Sequence, residues 1–175
     1  MNTSSISKSF LLLSILMGSA TASVAHARDS VPFAATIDIV ESVTPGTTCP
    51  LQGQISGEGT LSIGVGKASR PTPVTASSTD CIIPANAEMT SFVFLSNNVV
   101  FTTRSGDQIT AAYSGTLTVI DTMGNSTIRG GFWITGGTGA FSKAVGAGTV
   151  QGFETINLAA GSGTGKVQLT GTIMY

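Results

Sequence analysis

Glu154 is the residue of this 175-residue chain whose type and setting point most directly to chemistry. It lies in a stretch where apolar and small polar residues alternate. On that alternation Glu154 shares a face with Val150, Ile156 and Leu158, and Phe153 shares the other face with Gln151 and Thr155. A carboxyl group among aliphatic side chains loses hydration, which raises its pKa and suits it to general acid or base work. A bulge near Gly152 would reverse the phase, turning Phe153 inward and leaving Glu154 in water. Both phases are open at the level of sequence. Tyr113 and Tyr175 each follow an apolar face and could offer a hydroxyl to a ligand, or pack with the hydroxyl at a rim. Glu154 and Tyr113 are therefore the candidate catalytic pair. Arg129 and Trp133 share a face opposite Ile128, Phe132 and Ile134. A guanidinium over an indole would hold an anionic or aromatic ligand, and the same pair on an exterior wall would be solvated or meet a second subunit.

Other chemistry is excluded by composition. The single histidine, His26, falls within an N-terminal segment that reads as a secretory signal: Lys8, then the short apolar run Phe10–Met17, then Ala25-His26-Ala27 as a small-x-small cleavage site. Ala20-Thr21-Ala22 is the second choice of site. Cleavage after Ala27 removes the histidine, and with it Ser-His-Asp catalysis and His-ligated metal sites. It leaves a mature domain of residues 28–175, exported to a periplasm or secreted, with seven basic side chains against nine acidic ones. The cations are scattered singly, so nucleic acid is not an expected partner. No later run is long enough to span a membrane as a helix. Gly161–Lys166 only superficially resembles a phosphate loop, because Ala160 and Val167 occupy two required positions. No cofactor or metal site is expected.

The elements that must position these side chains are strands. The clearest runs from Asp107 to Ile120, with Ile109, Ala111, Tyr113, Leu117 and Val119 on one face and threonine and serine on the other. Similar alternation marks Phe33–Glu41, Leu61–Val65, Thr90–Ser96, Asn98–Arg104, Ser126–Ile134, Thr149–Leu158 and Val167–Tyr175. Ser96-Asn97-Asn98, Ser105-Gly106-Asp107 and Met123-Gly124-Asn125 read as turns. Recurrent Gly-Thr steps mark strands that bend sharply, which favours a closed antiparallel barrel over a flat sandwich. The segment Val43–Pro84 holds five of the six prolines and both cysteines, and reads as two long loops around the strand at Leu61. Cys49 and Cys81, an isolated pair in an exported chain, are expected to form one disulfide that pins those loops across a barrel mouth.

Gly136-Gly137-Thr138-Gly139-x-Phe141, followed by Ala144-Val145-Gly146, resembles a signature of the allene oxide cyclase and dirigent barrel superfamily. Gly106-Asp107-Gln108-Ile109 with Tyr113-Ser114-Gly115 is similar to the upstream strand of its bacterial exported members, and the resemblance extends over Phe92–Tyr175. It implies an all-β barrel of about eight antiparallel strands, often trimeric. A glycine signature reports backbone geometry and transfers no activity.

The expected interior, including Leu61, Phe101, Ile109, Leu117 and Leu169, favours a small apolar ligand, with Phe101, Leu117, Trp133 and Arg129 as candidate contacts. Three roles follow: an exported binding or envelope protein, an enzyme that steers a reactive intermediate, or a structural oligomer with a filled lumen. A cavity faced by both Glu154 and Tyr113 would favour acid–base chemistry, and a plugged lumen would remove the first two roles.

Overall fold

A computed structural model describes residues 29–65, 69–157 and 159–175. The signal segment and Leu158 lie outside these. Eight strands run in order: β1 Val31–Pro45, β2 Leu51–Ile63, β3 Thr72–Pro84, β4 Ser91–Thr103, β5 Gln108–Val119, β6 Asn125–Gly137, β7 Val145–Asn157 and β8 Ser162–Met174. Each pairs antiparallel with the next, and β8 closes on β1. The closed eight-stranded barrel is the architecture that the glycine signature implies.

Closure at this size requires strongly coiled strands, and small residues permit it. At the β7–β8 crossing Gly148 faces Gly171. A Cβ on Gly171 would stand 2.2 Å from the Ala147 carbonyl oxygen and 2.7 Å from the Gly148 Cα. Every other residue along each strand faces inward, so the alternation read from sequence becomes the inside and outside of one wall.

Val43–Pro84 forms no pair of long loops: it folds into the end of β1, all of β2 and all of β3. Its prolines fall at strand ends, where a missing N–H costs no interior ladder bond. Between them Leu51, Gly53, Ile55, Gly57, Gly59 and Leu61 form the inward row of β2, hidden in sequence because half are glycines. In turn, Thr90–Ser96 and Asn98–Arg104 are a single strand, β4. The count of eight had come from splitting β4 and omitting β3. Asn97-Asn98 forms a bulge that adds one residue to β4 relative to both neighbours. The inward set shifts across it from Phe92, Phe94 and Ser96 to Val99 and Phe101. Side chains replace the lost ladder: the Thr79 N–H donates to Asn98 Oδ1 at 2.9 Å, and Ser96 Oγ donates to the Thr79 carbonyl at 2.9 Å.

The turns β1–β2, β3–β4, β5–β6 and β7–β8 surround one end of the barrel, called here the mouth. The other end, the base, is filled. Phe33 packs at 5.4 Å on Phe132 and at 6.4 Å, edge-on, against Phe101. Ile109, Leu61 and Ile173 complete this layer. The Gly136–Gly139 signature ends β6 and leads into a 3₁₀ turn, Gly139–Phe141, that carries Phe141 under the base. Gly139 takes φ +54°. Thr138 latches the turn to β5: its N–H donates to the Gln108 carbonyl, and its Oγ1 accepts from the Gln108 N–H, both at 2.9 Å.

Cys49, in the β1–β2 turn, and Cys81, on β3, lie side by side at the mouth as free thiols. The expected disulfide is therefore not formed in the structure. The Cys81 thiol hydrogen-bonds to Cys49, which is the main reason its pKa is pushed up to about 11. Cys49 Sγ donates in turn to the Leu51 carbonyl at 3.3 Å.

Candidate functional site

Above the phenylalanine layer the barrel is hollow. A cavity of about 90 Å³ is walled by aliphatic and aromatic residues from all eight strands, among them Ile37, Phe94, Phe101, Leu117, Val150 and Leu169. At roughly 15 Å³ per water-sized group, it takes about six non-hydrogen atoms. Phe92 and Ile156 line both this cavity and an open groove across the mouth, and so stand between the two spaces.

One side of the cavity is polar, and its polar groups are acidic or hydroxylic. Glu41 of β1, Ser78 and Asp80 of β3, Tyr113 of β5 and Glu154 of β7 all line it. Each stands at an inward position of its strand's alternation. Tyr113 donates its hydroxyl to Asp80 Oδ2. Ser78 Oγ donates to Asp80 Oδ1 at 2.8 Å and lies 2.9 Å from the Tyr113 hydroxyl. Phe94 meets the Tyr113 ring edge-on at 5.5 Å and fixes its plane. Glu41 and Glu154 hydrogen-bond across the mouth side of the cavity.

Glycines on the flanking strands make room for the two glutamates. A Cβ on Gly53 would meet Glu41 Oε1 at 2.1 Å, and one on Gly163 would meet Glu154 Oε1 at 2.2 Å. Glu154 is 3% exposed, and its Oε1 is buried without any hydrogen-bond partner. A bare buried acceptor costs on the order of 1–3 kcal/mol.

Burial holds all four ionisable groups toward their protonated forms. Desolvation, reinforced by the neighbouring Glu154, pushes Glu41 up to about 8. Asp80 rises to about 6 through desolvation, and the bonds from Tyr113 and Ser78 limit the rise. Glu154 is raised by desolvation, an effect partly offset by the hydrogen bond from Glu41. Tyr113 is raised well above the ordinary tyrosine value by desolvation and then by the Asp80 charge. Burial thus keeps a proton on the glutamate pair to higher pH than on a free carboxyl, and the two side chains lie close enough to share it.

The structure brings together some of the sequence-predicted residues and separates others. Glu154 and Tyr113 face the cavity together, with Phe101 and Leu117 in its wall. The β7 phase is the one that sends Phe153 outward, 60% exposed. Tyr113 does not reach the rim, since its hydroxyl is bound inside. Tyr175 lies under the base, its ring 5.2 Å from Phe141. Arg129 and Trp133 face outward on β6, and neither touches the cavity. Glu41, Ser78 and Asp80 were missed by sequence reasoning. The row Ala35, Ile37, Ile39, Glu41, Val43 carries the same signal as that around Glu154. Asp80 lies in the segment read as loop, where alternation went unread.

No protein-family profile matches the chain, and no curated protein is similar to it in sequence. Among solved structures it is similar to the pterocarpan synthase dirigent protein GePTS1, with 12% identity and a TM-score of 0.40 over 85% of this chain and 88% of that one.

Proposed function

We propose that this is an exported barrel that binds a small, mainly apolar molecule in its interior and meets one polar group of that molecule with its acidic side. The observation that carries this reading is the enclosed, mainly apolar cavity, whose lining includes Glu154, a buried carboxyl with one oxygen left without a hydrogen-bond partner. Apolar walls supply the driving force, and a few convergent polar groups supply orientation. The signal-like N-terminus supports export. Native mass spectrometry of the purified chain tests the reading. A small-molecule adduct is expected on the natural sequence and absent from Val150→Phe, which fills the cavity. A folded natural protein that neither carries nor takes up any small molecule would remove it.

A second reading is an enzyme that steers a reactive intermediate. It is favoured by the coupled Glu41–Glu154 pair, in which one carboxyl holds a proton that the other can accept. Groups that titrate near the working pH are the ones suited to proton transfer. Turnover unchanged in Glu154→Gln would remove this reading.

A further inference from the structure

We infer that the ligand of the cavity is a small apolar cation, an amine with a short hydrocarbon tail, which enters by the acidic mouth and sets its ammonium group against Glu154. This rests on the binding reading above and names the chemical class of the guest.

The polarity of the site selects the charge. Among the described residues, every ionisable group facing the cavity is an acid: Glu41, Asp80 and Glu154, with Tyr113 beside them. The rows that β2, β4, β6 and β8 turn toward it carry no titratable side chain. No arginine or lysine is there to receive a carboxylate or phosphate, so an anionic guest would meet only like charge. A neutral alcohol could donate one hydrogen bond to Glu154 Oε1. An ammonium group donates up to three and adds charge attraction in a poorly hydrated site.

The entrance repeats the pattern. The groove across the mouth is bordered by Glu88 and Asp121 and by no basic residue. The described cations lie elsewhere. Arg70, Arg104 and Lys143 sit in the connections at the base, while Arg129 and Lys166 lie on the outer wall. Lys166 is already paired there with Asp38 at 2.9 Å. The mouth therefore carries acids without bases, whereas at the base Asp29 and Asp107 stand among the cations. Such a field draws cations toward the opening.

Size sets the tail. A head group at the glutamates leaves room beneath it for a chain of about five carbons against Phe101, Val150 and Leu169. Binding is coupled to proton release. As pH rises through the values of about 6 for Asp80 and about 8 for Glu41, the site gains negative charge while the amine, with a pKa of about 10.4, stays charged. Affinity for the amine rises over that window, and affinity for a neutral isostere does not.

The test is calorimetry on the purified chain with n-pentylamine, 1-pentanol and pentanoate at fixed ionic strength. At pH 8.5 the amine is expected to bind at least about tenfold more tightly than the alcohol, and pentanoate not to bind. The amine should lose about tenfold between pH 8.5 and 5.5. Glu154→Gln should collapse the preference for amine over alcohol, and Asp80→Asn makes the same comparison if the first variant does not fold. Pentanol binding as well as pentylamine, or pentanoate binding at all, overturns the cation assignment and leaves the apolar-binding reading standing. Failure of all three to bind removes both.

Discussion

At the scale of single residues, the acidic side of the cavity governs how the protein responds to pH. A carboxyl whose folded pKa lies above its unfolded value binds more protons folded than unfolded, so stability falls as pH rises between the two values. For Glu41 that window runs from 4.5 to about 8, and for Asp80 from 3.8 to about 6. The barrel should therefore be most stable at mildly acidic pH and lose on the order of 3 kcal/mol by pH 8.5. Chemical denaturation at pH 5.5 and 8.5 measures it, and greater stability at 8.5 would show that these groups are not buried as described. Glu41→Gln removes the larger contribution and should flatten the curve. In sequence, Glu154 was legible because it interrupts a visible apolar row. Asp80 was not, because its row, Val74, Ala76, Ser78, Asp80, Ile82, is short of large apolar side chains. Arg129 and Trp133 were read correctly as sharing a face, but composition alone does not say which face is inside.

At the scale of elements, small residues do two jobs that alternation cannot distinguish. Some let strands cross, and some make space for side chains of the site. Gly171→Val tests the first. A branched side chain at the β7–β8 crossing would strike the Ala147 carbonyl. We expect a loss of at least about 3 kcal/mol in urea titration, and a near-neutral result would mean that the crossing is looser than drawn. At the base, Phe33→Ala removes a fully buried ring from the phenylalanine layer and should cost about 3–5 kcal/mol. The bulge in β4 explains why that strand was read as two. Asn97-Asn98 is a common turn sequence, and the phase of the apolar row changes across it. Only the pairing with β3 and β5 shows that the chain continues straight through.

At the scale of the whole molecule, the barrel carries a pair of thiols beside its opening. Oxidation to a bridge between Cys49 and Cys81 would tie the β1–β2 turn to β3. Air-oxidised protein should lose the mass of two hydrogens and gain about 2–4 kcal/mol in stability. Intact thiols after mild oxidation would show that the turn holds them apart. Closure of the barrel was legible from the recurrent glycines and the glycine signature, but the strands themselves only in part, since β4 reads as two strands and β3 as loop. Which end is hollow was not legible, because that depends on which inward rows carry phenylalanine and which carry glycine or serine at the same height.

The meander sets an order of assembly. Seven of the eight strand pairs join neighbours in the chain, and each can zip as a hairpin soon after its second strand emerges. The eighth pair, β1 with β8, joins residues as far apart as Val31 and Ile173. Until that last pair forms, β1 presents an unpaired edge, and an open sheet of this length is a template for joining other chains. A chain cut before Ser162 keeps every hairpin but the last, yet cannot close, and it should accumulate as aggregates rather than as a slightly shortened barrel.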